Sequence, residues 1–303
     1  MIFKIKLSSF SSYLLVGMMI LGASCSQDSL HKEGSTSSKK SSEAEAQKIV
    51  SLNGAISETI AAAGYAHQLV GVDVTSTYPE SVAKVPKVGY NRNIQAEGVL
   101  ALSPTLILGN EGNLKPEVRQ QFKSVSVKTV LFPKREWTLE GTEKLLRDIC
   151  DQIDATDKVD PMMIEIKEKL SQVQPFETAP RVLFIYARGA GTLLAAGSGT
   201  QMQAIIEMAG GQNAVSGFEQ FKPLTSESLV EANPEVILMF SGGLESLEGT
   251  SGLLEVPGVI ETSAGQNEAI VTMDGPLLSN FGPRLGEAAL LLNKRLHEVL
   301  PNS

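Results

Sequence analysis

The stretch Glu97-Gly98-Val99-Leu100-Ala101-Leu102-Ser103-Pro104-Thr105-Leu106-Ile107-Leu108 decides the fold, because the chain writes its pattern twice. The second copy is Glu227-Ser228-Leu229-Val230-Glu231-Ala232-Asn233-Pro234-Glu235-Val236-Ile237-Leu238. Both open on Glu, place Pro seven residues later and close in an apolar run. That order reads as a helix, a proline break and a buried strand. A shorter echo pairs Ile60-Ala61-Ala62-Ala63-Gly64 with Ile206-Glu207-Met208-Ala209-Gly210, each a helix ending at glycine. Repetition of such units predicts two similar lobes.

Working outward, Ile49 to Leu52 reads as a strand, Asn53-Gly54 as a turn, Ser57 to Ala63 as a helix and Leu69 to Val72 as a strand. This spacing is that of a βαβ unit with parallel strands. The alternation continues with a helix over Glu97 to Leu102, a strand over Thr105 to Leu108, a helix over Pro116 to Lys123 and a strand over Lys128 to Leu131. From Leu139 to Val173 the pattern turns helical. Leu145, Leu146, Ile149, Ile153, Met163, Ile166 and Leu170 fall near helical spacing. This is one long helix or two abutting ones, roughly 50 Å at 1.5 Å per residue. Arg181 to Tyr186 opens the second series. The expected fold is α/β, with two Rossmann-like lobes built on central parallel sheets and joined by a long helical spine. The expected divisions are a leader at 1–24, a tether at 25–47, an N-terminal lobe at 48–137, a linking helix at 138–175 and a C-terminal lobe at 176–303. Ligands of open α/β sheets bind beyond the carboxyl ends of strands, so two facing lobes form a binding cleft. A helical spine resists hinging, so closure of that cleft is expected to be small.

The N-terminus carries Lys4 and Lys6 ahead of an apolar run from Tyr13 to Ala23, which is too short for a permanent membrane span. Leu21-Gly22-Ala23-Ser24-Cys25 resembles a bacterial lipobox, although Gly22 stands where an apolar residue is usual. The resemblance implies cleavage before Cys25, its acylation and a membrane held through lipid. Ser26 to Glu45 is rich in Ser, Lys and Glu and reads as a flexible tether. Losing Lys4 and Lys6 with the leader takes the net charge from −8 to −10. Such a balance speaks against nucleic acid as a partner.

Signatures of common enzyme sites are absent: no P-loop, no His-Glu-x-x-His, no Cys-x-x-Cys and no Gly-x-Ser-x-Gly. Ala196-Gly197-Ser198-Gly199 comes nearest to a phosphate loop but lacks the Lys, and reads as a tight turn before a helix. His31, His67 and His297 do not cluster, which argues against a zinc site; the latter two read as surface residues. Cys150 lies on an apolar helical face and reads as a buried structural thiol.

Several segments together resemble the haem-binding proteins of bacterial haem ABC importers. They include Ile49-Val50-Ser51-Leu52-Asn53-Gly54-Ala55-Ile56-Ser57-Glu58, Ser76-Thr77-Tyr78-Pro79, Val88-Gly89-Tyr90-Asn91-Arg92, Gly243-Leu244-Glu245-Ser246 and Phe281-Gly282-Pro283-Arg284. The resemblance spans about residues 48–298 and implies a class III periplasmic binding protein with no catalysis. The scaffold is shared with siderophore- and cobalamin-binding proteins, which stay open as alternatives. It implies haem as transported ligand, Tyr90 as axial ligand of the iron, and Tyr78, Arg92, Arg188, Ser241 and Gly242 in the ligand site. Some relatives place a second axial His at the start of the second lobe. Here Ile185-Tyr186-Ala187-Arg188-Gly189-Ala190-Gly191 holds none, so five-coordinate haem is expected, with Arg188 free to meet a propionate. Glu97 and Glu227, at equivalent places in the two copies, are implied to dock on an ABC permease dimer with its ATPase.

The chemistry of Tyr90 also follows from first principles. Ferric iron takes a hard anionic oxygen, and phenolate is one. A free phenol ionises near pH 10, and both iron and a nearby guanidinium favour the phenolate. On an extended segment, residues two apart share a face, which would set Arg92 beside the Tyr90 oxygen. A haem-handling enzyme would need a base–nucleophile pair or a distal His, and neither is visible.

Overall fold

The computed structural model describes residues 47–191 and 193–300. The leader, Cys25 and the tether through residue 46 lie outside the described residues. The first series runs β1 Ile49–Ser51, α1 Gly54–Ala62, β2 Leu69–Val72, α2 Glu80–Ala83, α3 Ala96–Leu100, β3 Leu106–Asn110, α4 Pro116–Ser124 and β4 Lys128–Phe132. Two helices follow, α5 Leu139–Asp151 and α6 Val159–Leu170. The second series begins with β5 Arg181–Ala187, β6 Leu193–Ala196, α7 Gln201–Met208, β7 Gln212–Asn213, β8 Phe221–Pro223 and α8 Ser226–Ala232. It continues through β9 Val236–Phe240, α9 Ser241–Glu245, α10 Thr250–Leu254, α11 Ser263–Gln266, β10 Ile270–Met273, α12 Gly275–Ser279 and α13 Leu285–Val299.

Local chemistry sets the element ends. Asn53 is extended and its side chain accepts from Ala55 N at 3.0 Å, so α1 starts at Gly54, ahead of the expected Ser57. Proline opens α4, where its missing N–H costs nothing. Both echoed helices stop in the same way. Gly64 and Gly210 take φ of +92° and +84°, and the next amides, Tyr65 N and Gly211 N, return to Ile60 O and Ile206 O.

The first sheet has order β2-β1-β3-β4 and is wholly parallel. In the second lobe the parallel neighbours β7, β5, β9 and β10 reproduce that order. The expected central parallel sheets are therefore present in both lobes, and the second carries antiparallel strands besides. β6 pairs antiparallel with β5, and β8 antiparallel with β6. The cause is the short connection between Ala187 and Leu193, which can only fold back as a hairpin.

The linking stretch is two helices. After α5 the chain takes a left-handed turn at Asp154 (φ +55°) and a short 3₁₀ segment, Thr156–Lys158, before α6 begins. The helices divide their loyalties: α5 packs on α1 and α6 on α13. One apolar cluster passes through both lobes, from Ile56 and Ile60 through Leu146, Ile149, Met163 and Ile166 to Leu292 and Leu296. Separate clusters fill the outer side of each sheet, around Phe122 in the first lobe and Leu253 in the second.

Cys150 is fully buried in the shared cluster, as its pattern predicted, and burial pushes its thiol up to about 11. The folded value lies above the ordinary 9.0, so this group's contribution to stability is complete below about pH 9 and is lost as pH rises towards 11. In a Cys25→Ser background, Cys150 is expected to resist a disulfide reagent at pH 8 in the native protein and to react as one thiol per chain in 8 M urea.

Candidate functional site

The residues that face a ligand in an open α/β sheet stand beyond the carboxyl ends of its strands. In the first lobe two loops occupy that place, Asp73 to Pro79 after β2 and Pro86 to Asn93 beside it. Asp73 anchors the first loop. Its carboxylate accepts from the Ser76 hydroxyl at 2.6 Å and from the Thr75 hydroxyl and amide. The Ser76 oxygen lies 2.7 Å from that of Ser57 on α1, which reaches Ser51 at 2.8 Å. Burial pushes the Asp73 carboxyl up, and its hydroxyl partners and Lys87 pull the other way without cancelling it. Lys87 donates to Ser76 O at 2.6 Å and closes the loop from outside.

The second loop is stitched to the first by Val88 N to Val72 O at 2.9 Å and Val74 N to Gly89 O at 3.0 Å. Gly89 has φ +115°, which a side chain would strain, and it delivers the chain to Tyr90. Tyr90 O then accepts from Asn93 N at 2.7 Å. Tyr90 and Arg92 therefore sit in a turn, which corrects the extended segment expected from their spacing. The two-residue rule does not apply across a reversal. Among the described residues no hydrogen bond joins their side chains. Tyr90, Tyr78 and Val74 are 49%, 47% and 44% exposed, so one end of β2 presents three large apolar side chains to solvent.

In the second lobe, Arg188 follows β5 and is exposed. Its hairpin is tied to the end of α9 by Gly189 N to Ser246 Oγ at 2.9 Å. Ser241 and Gly242 open α9 directly beyond β9, with Gly242 exposed and space around its Cα. The predicted ligand residues thus stand at the carboxyl ends of β2, β5 and β9. Glu97 and Glu227 are exposed in the first turns of α3 and α8, at the same step of each helix and at equal distance in sequence from the strand that follows.

Sequence reasoning missed the residues that join the lobes. Glu58, 3% exposed at its side chain, accepts from Arg284 Nε at 3.0 Å and Nη2 at 2.6 Å, and from Asn280 Nδ2 at 2.9 Å. Arg284 lies 3.8 Å from the centroid of the Tyr78 ring. Nearby, Arg135 donates to Asn280 O and Phe281 O at 2.9 and 3.0 Å and stands over Trp137, itself edge-on to Phe281. Burial pushes the Arg135 guanidinium down to about 10. The usable signal was an acid between Ile56 and Ile60 on the first predicted helix, since a buried carboxylate needs a partner.

Other sequence readings meet the structure as follows. The amides of Gly197, Ser198 and Gly199 are taken by Gln220 O, Phe218 O and Gln203 Oε1, so the glycine turn has none to give a phosphate. His67 is exposed, whereas His297 is half-buried and stacks on Phe176 at 3.9 Å, contrary to its surface reading, because α13 lies against the linker there. Among the described residues no three His, Cys, Asp or Glu side chains converge as for a metal, and no helix is long and apolar enough to cross a membrane. Two hollows of about 440 and 430 Å³ lie away from Tyr90, one beside α5 and one between α3 and α4.

Glu58→Ala would strand the Arg284 charge between the lobes. It is expected to lower stability by about 3 kcal/mol, read as a shifted urea midpoint at unchanged slope.

Three comparisons bear on this arrangement. The periplasmic heme-binding protein RhuT of Roseiflexus sp. RS-1, solved in its apo form, superposes with a TM-score of 0.80 at 33% identity, over 84% of this chain and 99% of that one. An uncharacterized ABC transporter substrate-binding lipoprotein of Bacillus subtilis, YvrC, is 27% identical over 251 residues, covering 80% of this chain and 77% of the relative. A vitamin B12-binding protein of Pectobacterium atrosepticum is 25% identical over 266 residues, covering 84% and 89%. Residues 49–277 match the model of the periplasmic binding protein family. With its doubled parallel sheet core, the chain belongs to that family, whose members carry substrates for transport and are not enzymes.

Proposed function

We propose that the protein captures haem between its lobes through Tyr90 and delivers it to an ABC-type importer. The observation that carries the reading is Tyr90 itself. It is half exposed at the carboxyl end of β2, behind a glycine with φ +115° and within a hydrogen-bonded turn. A phenol held there is an available hard ligand for ferric iron. Arg92 stands in the same turn and brings a positive charge to that end of the site. From the second lobe, Arg188 meets a propionate, and Ser241 and Gly242 border the ring. The heme-binding neighbour at 33% identity supports this ligand over others of the fold. Cys25 anchors the chain to the membrane by lipid, in keeping with its lipoprotein relative.

A second reading has its own support: the Pectobacterium relative is named for vitamin B12. A corrinoid arrives with its metal already ligated and does not need the phenolate, so Tyr90 separates the two. Titration of hemin into the full chain is expected to give a saturable high-spin ferric spectrum with a charge-transfer band. Tyr90→Phe should lose that band and bind at least tenfold more weakly. Saturable binding of cyanocobalamin with no hemin spectrum would sink the haem reading.

Glu97 and Glu227 are the proposed contacts with the permease dimer, one on each lobe. The double variant Glu97→Arg/Glu227→Arg is expected to keep hemin affinity within twofold while uptake by cells carrying the importer falls to background. Uptake at the wild-type rate would remove these residues from the docking surface.

A further inference from the structure

Tyr78 and Arg284 come from different lobes, and the guanidinium lies over the ring. The guanidinium carbon of Arg284 is 3.8 Å from the ring centroid, close enough for stacking and cation–π attraction. Both sides of the contact are anchored. Arg284 is gripped in bidentate fashion by Glu58, and the loop that bears Tyr78 is gripped by Asp73 and Ser76 against Ser57. Ser57 and Glu58 are neighbours on α1, so a single helical turn holds both members of the stack. The guanidinium carbon stands over the Tyr78 ring, and the residue nevertheless stays 47% exposed.

The charge around Arg284 excludes the obvious alternative, an anion site. Burial alone would lower this guanidinium, but Glu58, Glu287 and Asp274 more than reverse it, leaving a net upward shift. A cation already compensated by three carboxylates has little pull on a ligand's carboxylate. What it offers is a flat, immobile plate.

We propose that Arg284 is a positioning residue that holds the Tyr78 ring across the lobes as a flat wall of the cleft, against which a planar tetrapyrrole packs. This rests on the reading of the cleft as a tetrapyrrole site. It assigns Arg284 and Glu58 a part in ligand affinity without contact with the ligand, and Tyr78 a part that depends on its ring and not its hydroxyl.

The test is hemin and cyanocobalamin titration of the purified full chain with four variants. Arg284→Lys keeps a charge for Glu58 but removes the plate. Tyr78→Phe keeps the ring, Tyr78→Leu removes it, and Tyr78→Leu/Arg284→Lys removes both. Stacking of this kind makes the expected loss about five- to tenfold for Arg284→Lys and for Tyr78→Leu. Tyr78→Phe should stay within twofold of wild type, and the double variant should be no weaker than Tyr78→Leu alone. The charge-transfer band should persist in every variant, because Tyr90 is untouched. Hemin bound equally by wild type and all four variants overturns the wall and leaves the haem reading standing, as would losses that multiply in the double variant. The same ranking seen with cyanocobalamin, in a protein that ignores hemin, overturns the haem reading and supports the wall. Binding of neither probe overturns both.

Discussion

Glu58 is carried almost wholly out of water on α1, and Arg284 is brought to it from just before α13. Each charge loses several kcal/mol of hydration there. Their attraction at an effective dielectric near 20 is on the order of 4 kcal/mol at ~4 Å. The pair therefore adds little net stability, but either member alone would be expensive. That asymmetry gives it its importance: the segment Asn280 to Arg284 has one favourable seat against α1, and the second lobe is registered on the first through it. Arg135 repeats the arrangement from the β4–α5 connection by taking the carbonyls of Asn280 and Phe281.

Around this registration the apolar core is continuous. α5 belongs to the first lobe and α6 to the second, yet their buried faces join one cluster with α1 and α13. Of the two forms expected for the spine, one long helix or two abutting ones, the chain takes the second, with the break at Asp154. Shared burial and the cross-lobe ion pair oppose hinging between the lobes.

The site is a set of exposed side chains on over-determined loops. Asp73 spends its buried carboxylate on two hydroxyls and an amide of its own loop, and Gly89 spends its freedom on a backbone turn. Tyr78 and Tyr90 are left half exposed at the end of β2, with Arg188, Ser241 and Gly242 on the facing lobe. Large apolar groups in water on rigid supports are what the proposed tetrapyrrole would pack against.

The amino-acid sequence by itself determined the local units and their repetition. Apolar runs, the helix–proline–strand junctions at Pro104 and Pro234 and the paired glycine stops at Gly64 and Gly210 specify two parallel α/β series, because each is a matter of a few neighbouring residues. The same locality made the burial of Cys150 legible. It misled for Arg92, where the spacing suggested a shared face and a turn intervened, and it gave no sign of the hairpin that adds antiparallel strands to the second sheet. Only the tertiary structure decided that Glu58 meets Arg284 and that Arg284 lies under Tyr78. Those residues are separated by more than two hundred positions, and no periodicity links them. Their meeting is set by how two finished lobes pack, which is a property of surfaces that exist only once the chain has folded.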